Sequence, residues 1–488
     1  MISKEKILFS HSYFYPLDAK QWSNKTPYPP LGTIWAASVM RESGFEVELF
    51  DTNLRSAPND IKEALTESTK YFVIYDDGFN YLTKMCLTNM RDAATEMIQI
   101  AKKKGKIVLV CSSDSTDHYK KYMANGADVV ILGEGEETLK ETLNTLRDNR
   151  PITTAIKGIA FFEGESVVKS PPRAVLKDLD TLPFPAWDLI NMEAYRKVWK
   201  RSKYTFTLNI ATTRGCPFKC NWCAKPIYGN RYNTRSPENV VQEIAFLQQK
   251  YGTSHFWMCD DIFGLKPGWI QEFNQELKKK QLKISYKIQS RADLLVKEDT
   301  IMALSESGLR EVWIGAESGS QKILDAMDKG TTTAQIKSAT DQLQQLGVRV
   351  AYFIQFGYIG ETEEDIALTL TMIKENKPDD IGVSVSYPLP GTVFYEKVKD
   401  DMKLKANWND SDELAMLFAG TFNSKYYKTL HRYLHKIFRT SQGIQFLKQF
   451  VLMANWNSIS WRTLLLLPIN AVKARNYKSK LTRLSNKA

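Results

Sequence analysis

The sequence predicts an α/β protein of two strand–helix regions in tandem, a doubly wound parallel sheet and then a (β/α) barrel, followed by a helical tail. Three observations predict it. Short apolar runs alternate with amphipathic stretches up to about residue 150, and do so again from about 204 to 395. A Pro-punctuated segment separates the two regions, and strand signal stops after about residue 410. At 488 residues the chain also exceeds what one hydrophobic core serves. The expected boundaries are 1–150, 151–200, 201–400 and 401–488.

In the first region KILFS, FEVELF, YFVIY, KIVLVC and DVVILG read as five strands, with helical stretches such as TIWAASVMRES and KEALTEST between them. Ligands of such sheets sit beyond the carboxyl ends of the strands. Those ends are Ser10–Tyr15, Asp51–Asn53, Asp76–Asn80, Ser112–Thr116 and Gly133–Glu137. Residues 158–187 read as a small hairpin and a linker. In the second region TFTLNIATT, HFWMC, SYKIQSR, EVWIGAE, RVAYFIQFG and DIGVSVSYP read as six strands, giving a full or partial barrel. Barrel chemistry also sits at carboxyl strand ends.

Composition sets outer limits. With 43% hydrophobic and 25% charged residues the chain reads as an ordinary globular protein. Its opening reads as a first strand rather than a signal peptide. No uncharged apolar run approaches the roughly 18–20 residues that span a bilayer. Six unevenly spaced cysteines are no disulfide framework and fit a reducing cytoplasm.

Half of those cysteines, Cys216, Cys220 and Cys223, fall in TTRGCPFKCNWCAKP, just after the first strand of the second region. A structural zinc site takes four ligands, often two CxxC pairs. The only later cysteine is Cys259, in the next strand and without a CxxC. Three thiolates on a four-iron cluster instead leave one iron open to chemistry. The CxxxCxxC spacing, with Trp222 before the last cysteine and Arg-Gly-Cys-Pro ahead, resembles the radical S-adenosylmethionine (radical SAM) superfamily.

That resemblance implies a [4Fe-4S] cluster on Cys216, Cys220 and Cys223. The amino and carboxylate groups of S-adenosylmethionine would chelate the open iron, and one-electron cleavage would give a 5′-deoxyadenosyl radical. It further implies that Trp222, Asp260, Asp261, Ser290, Arg291, Glu317 and Ser318 surround S-adenosylmethionine. Asp260-Asp261 would hold its ammonium, Arg291 its carboxylate and Glu317 its ribose hydroxyls. GYIGETEED (357–365) and YPLPGTVFYE (387–396) resemble the same family, with Tyr358-Ile359 in place of a small-residue–proline pair.

Residues 5–150, through PPLGTIWAASVMRESGFEVELFDT and GADVVILGEGEETL, resemble the Rossmann-like cobalamin-binding domain of cobalamin-dependent radical SAM enzymes. Asp76, Ser112, Ser113, Gly133 and Gly135 are the candidate cobalamin contacts. There is no Asp-x-His-x-x-Gly to ligate cobalt, and Ser112–Thr116 stands where relatives carry a Gly-Gly-x-His-x-Thr turn. Two readings stay open: cobalamin held without a protein ligand, or a domain that keeps the fold alone.

From Leu414 to Ala488 there are 13 Lys and Arg and no Asp or Glu. With Trp456, Trp461, Tyr426, Tyr427 and Leu464–Leu467, this fits either a helical cap on the barrel or a peripheral contact with the inner face of the membrane. Nucleic acid is disfavoured, because no RNA-binding module accompanies the charge.

The leading expectation is a cobalamin-dependent radical methyltransferase acting on an unactivated carbon of a small or lipid-like substrate, served by a reducing electron donor. The alternatives are a non-methylating oxidative cyclase or rearrangement enzyme, and a non-catalytic cobalamin- or lipid-binding partner protein.

Overall fold

The computed structural model describes residues 4–84, 87–297, 299–451 and 458–485. The first sheet contains β1 (Lys6–Ser10), β2 (Glu46–Phe50), β3 (Thr69–Tyr75), β4 (Ile107–Cys111), β5 (Val129–Ile131), β6 (Ile159–Glu163) and β7 (Ser166–Lys169). Its order is β2-β1-β3-β4-β5-β6-β7. The first five strands run parallel. All but the ends of β3 and β4 are buried, as continuous apolar runs between two helical layers require. Strand order reverses between β1 and β3, the switch point at which such sheets take ligands.

The hairpin expected to precede the linker joins this sheet instead. β6 pairs antiparallel with β5, and β7 with β6. It covers the edge that β5 would otherwise leave open. The segment KEALTEST forms only the short helix Ile61–Ala64 before turning into β3.

The second sheet begins at β8 (Leu208–Ile210), shorter than its apolar run. A two-residue ribbon follows, β9 (Thr213–Arg214) against β10 (Asn233–Thr234). Then come β11 (His255–Met258), β12 (Ser285–Ser290), β13 (Leu309–Glu317), β14 (Arg349–Phe356) and β15 (Asp380–Val385). Omitting the ribbon, the six strands lie in order β15-β14-β13-β12-β11-β8, every pair parallel. The result is an open partial barrel. Ile288, Ile314, Tyr352 and Ile381 alternate along the strands and are buried on one face. The other face carries Trp313 and Phe353, whose rings lie 4.8 Å apart over Gly382.

The tail is helical, with Ser424–Val451, Ser458–Leu465 and Leu467–Ser485. Gly443 lets the first and third pass closely, since a Cβ there would lie 2.9 Å from Leu467. Arg439 of the first helix reaches Asp380 of β15 at 3.0 Å, so the tail is docked on the barrel. Tyr426 and Tyr427, expected among interfacial aromatics, are buried core residues. Phe422 stacks on Tyr426 at 4.0 Å, and Tyr427 faces Gly357 beyond β14. Trp456 lies outside the described residues. Among the described residues no helix is long and apolar enough to cross a membrane.

Candidate functional site

Pairing of Arg214 with Asn233 closes the base of the loop that carries the three cysteines. Gly215 turns the chain immediately before Cys216 at φ +80°, and a Cβ there would meet the Arg231 carbonyl oxygen at 2.4 Å. Only glycine fits both conditions. Cys216 is buried, Cys220 and Cys223 are half-buried, and none of the three is in a disulfide. Burial pushes the Cys216 thiol up. Among the described residues no three Cys, His, Asp or Glu side chains converge as a metal-holding group. The donor set itself suits an iron–sulfur cluster: three thiols on one loop, none in a disulfide, with cations beside them.

Those cations are Arg291 and Lys329. Arg291 follows β12 and is buried. It donates to Cys220 Sγ at 3.6 Å and to the Lys329 carbonyl at 2.5 Å, and pairs with Asp293 at 2.9 Å. Its guanidinium also lies over the Phe218 ring, 3.8 Å from the centroid. Lys329 is buried, yet its pKa is raised: burial opposes this, while Glu317 and then Cys220 favour the ammonium. Glu317 ends β13 at φ +57°, a left-handed conformation uncommon outside glycine, and its carboxylate meets Lys329 Nζ at 2.8 Å. Ser318 is buried with its hydroxyl 3.1 Å from that of Thr369, and Ser290 is buried at the end of β12.

Asp260 takes a different part from the one expected. Its carboxylate accepts from the backbone N–H groups of Thr212 (2.7 Å) and Thr213 (2.8 Å), and from the Thr212 hydroxyl. It braces the chain between β8 and the cysteine loop, and burial pushes its pKa up to about 7. Asp261 is the exposed acid of the pair. Trp222 Nε1 is buried without a hydrogen-bond partner.

Sequence reasoning missed the residue that anchors the loop. Asn221 donates to the Ala326 carbonyl (2.7 Å) and to Asp328 (3.0 Å), and accepts from the Tyr358 hydroxyl (2.8 Å). Its carbonyl also accepts from Phe394 N–H at 2.9 Å. Tyr358, visible in the sequence only as a departure from the family pattern, therefore ties the cysteine loop to the barrel. Lys329 was also missed, and nothing in its flanking sequence sets it apart.

On the first sheet, Asp76 accepts from Ser12 N–H and Ser12 Oγ, both at 2.7 Å, and burial raises its pKa. Asp77 accepts from Gly32 N–H at the start of helix Leu31–Glu42, and burial raises it to about 6. The Ser112–Thr116 turn opens a short helix. Ser112 and Ser115 form a reciprocal capping box, and Asp114 pairs with Arg91 at 2.6 Å. Ser112 is thereby occupied, whereas Ser113 Oγ is buried and unpartnered. Gly133, at φ +83°, leaves room facing the Ile227 carbonyl. Gly135 is fixed by packing, because a Cβ there would lie 2.6 Å from Cys111 Sγ.

The two regions meet at these strand ends. Arg214 is 2% exposed and its guanidinium pairs with Glu134 (2.6 Å) and Glu136 (2.8 Å), just beyond β5. It lies over the rings of Trp35 and Tyr228. Burial pushes the Glu134 carboxyl up while Arg214 opposes it. Tyr228, at the far end of the cysteine loop, stacks 5.6 Å from Phe79 and covers Gly78. Beside this contact a cavity of about 190 Å³ is lined by His11, Asn53, Asp77 and Asn80, and by Trp257 of β11.

Residues 210–373 match the Radical SAM superfamily. Over 391 residues the chain is 29% identical to an uncharacterised methyltransferase of Pyrococcus horikoshii, covering 78% of this chain and 81% of that protein. Over 286 residues it is 28% identical to an anaerobic magnesium-protoporphyrin IX monomethyl ester cyclase of Cereibacter sphaeroides, covering 57% and 45%. Among solved structures it resembles the radical S-adenosylmethionine methyltransferase TsrM from Kitasatospora setae, with cobalamin and a [4Fe-4S] cluster bound. The TM-score is 0.67 at 17% identity over 82% of this chain and 75% of that one, a likeness of fold.

Proposed function

Because residues 210–373 make this chain a radical SAM enzyme, we propose that it is a cobalamin-dependent methyltransferase acting on an unactivated carbon of a small or lipid-like substrate. The observation that carries this reading is Arg214, one residue from the cysteine loop's turn and buried against Glu134 and Glu136 of the first sheet. It lies against the end of β5, on the carboxyl-end face of the parallel strands, the face on which a doubly wound sheet takes a ligand. The similarity in fold to a cobalamin-bound methyltransferase supports the same assignment.

Cys216, Cys220 and Cys223 would hold the cluster. When bound, the cluster, S-adenosylmethionine and cobalamin supply one-electron cleavage chemistry and a transferable methyl group. The residues provide the setting. Arg291 and Lys329 offset negative charge at Cys220, and Asn221 and Asp260 fix the two ends of the loop. Asp261 and Trp222 Nε1 present a carboxylate and a free donor for S-adenosylmethionine, and Ser290, Glu317 and Ser318 line the neighbouring strand ends. For cobalamin the fit rests on the unpartnered Ser113 hydroxyl and on the side-chain-free Gly78 and Gly133. The cavity of about 190 Å³ is below the usual few hundred for a cofactor. A corrin seated there would need a wider opening than this cavity offers.

The cyclase relative favours a second reading, a radical enzyme that transfers no methyl group. Products distinguish them. Protein reconstituted anaerobically with iron, sulfide and hydroxocobalamin should retain corrin absorption after desalting and form both S-adenosylhomocysteine and 5′-deoxyadenosine. Deoxyadenosine without S-adenosylhomocysteine would assign the cyclase-type reading. Cys220→Ala should abolish deoxyadenosine formation under either. We further propose that the basic tail rests on an anionic membrane surface on the cytoplasmic side, tested by flotation of full-length protein with vesicles against a chain ending near Leu414.

A further inference from the structure

Away from the cysteine loop, helix Glu363–Asn376 of the barrel and the tail helices enclose a cavity of about 490 Å³. Its walls include Leu370, Ile373, Leu434, Ile437, Phe438 and Ala474. Two of the polar side chains on the wall are engaged elsewhere: Thr440 Oγ1 donates to the Lys436 carbonyl at 2.8 Å, and Gln442 Nε2 to the Asp379 carbonyl at 2.9 Å. The wall is mainly apolar, which suits a hydrocarbon chain.

The rim has the opposite character. Lys374 and Lys377 line it, and neither takes part in a described ion pair. Of the nearby acids, Asp380 pairs with Arg439 at 3.0 Å and Asp379 accepts from the Val350 N–H at 2.8 Å, while Glu375 is exposed between the two lysines. On the side of the last tail helix away from Ala471 and Ala474, Ile469 and Val472 form, with Leu465 and Leu466 just ahead of the helix, a second, exposed apolar surface. Leu465 is 73% and Val472 62% exposed. Arg462, Lys473 and Arg475 flank it, in a stretch with no acidic residue from Leu414 onward. An apolar slot with cations at its mouth, on the same tail as an exposed basic and apolar ridge, matches one chemistry: an acyl chain carrying an anionic headgroup.

We propose that this cavity receives one acyl chain of an anionic membrane phospholipid, its headgroup on Lys374 and Lys377, while the Leu465–Val472 ridge enters the bilayer interface. The proposal rests on the membrane contact above and is independent of the radical chemistry. It makes the tail a lipid-selective anchor rather than a charged patch alone.

The test mixes full-length protein with phosphatidylglycerol or phosphatidylcholine vesicles bearing a diazirine on the acyl chain, irradiates them and maps the cross-linked peptides. Phosphatidylglycerol vesicles should bind about tenfold or more tightly than phosphatidylcholine. Cross-links should fall within helix Glu363–Asn376 and residues 434–445. Ala474→Trp, which fills the cavity, should retain vesicle binding and lose those cross-links. Lys374→Gln with Lys377→Gln should reduce them severalfold. Bound vesicles with cross-links confined to residues 461–472 would overturn the cavity and leave the membrane contact standing. Absence of binding to either vesicle would overturn both. Labelling of the cavity by a free diazirine fatty acid, but not by vesicle lipid, would overturn the bilayer as the source.

Discussion

Asn221 and Asp260 define what individual residues in this loop do. Asn221 uses both side-chain polar atoms and its carbonyl on the barrel. Asn221→Ala removes the hydrogen bonds to Ala326, Asp328 and Tyr358, leaving the Tyr358 hydroxyl only its 2.9 Å bond to the Ala326 carbonyl, and each lost bond costs roughly 0.5–1.5 kcal/mol. The variant should fold, as judged by circular dichroism, but take up less iron and sulfide per chain on reconstitution. Asp260 titrates near 7 in the fold because of its burial, against 3.8 in the unfolded chain. A pKa raised by folding gives stability that is full below the unfolded value and is lost as pH rises through about 7. Asp260→Asn can still accept both backbone N–H groups through Oδ1 and donate to the Thr212 hydroxyl. Its denaturation midpoint should therefore fall less between pH 6 and 8 than that of the parent. The cysteines stand out in sequence because residue type and spacing alone carry the expectation placed on them. Asn221 does not, since an asparagine in a loop looks like turn chemistry and its partners lie more than 100 residues away. Asp260 was visible but misassigned: a strand-end acid reads alike whether its acceptors face a ligand or the backbone.

Strand and helix patterns carried most of the architecture, and the departures have local causes. β8 is shorter than its apolar run because it sits at the sheet edge with one neighbour, β11. The 158–169 hairpin read as an independent unit because antiparallel pairing to β5 leaves no mark on either segment. The tail's amphipathic pattern was legible, but its docking face was not, and Tyr426 and Tyr427 turned inward. His431 and His435 share that inward turn, with ring centroids 4.5 Å apart. Burial lowers them to about 3 and about 4, helped by His435, Lys20, Arg432 and Lys428 at His431 and by Arg439, Lys20 and Lys436 at His435; Asp380 opposes this at His435. Both are neutral in the fold. Their contribution is full above pH 6.5 and is lost as pH falls towards 3 to 4. Amide exchange in helix Ser424–Val451 should accelerate in that window before the barrel strands lose protection. His435→Gln should shift the onset to lower pH.

At the scale of the whole molecule, Arg214 is the buried charge among several ties between the two regions, which include Asn209 to the Pro29 carbonyl at 3.0 Å and Arg91 to Asn407 at 3.1 Å. Removing one partner of a buried ion pair typically costs about 3–5 kcal/mol, because the remaining charge is left unpaired. Arg214→Met should therefore split thermal unfolding into two transitions, with the first sheet and the barrel melting apart. Glu136→Gln, which leaves Glu134 paired, should lower the midpoint without splitting it. The acids at the end of β5 and the arginine before Cys216 were each legible as motif neighbours, but their meeting was not, because it depends on how two sheets dock. That meeting also has a temporal side. A ribosome delivers the chain N-terminus first, and domains fold as they emerge. The carboxylates of Glu134 and Glu136 are in place before Arg214 exists, and the cysteine loop closes onto a finished surface. Order of synthesis thus makes the first sheet the template for the loop, and not the reverse.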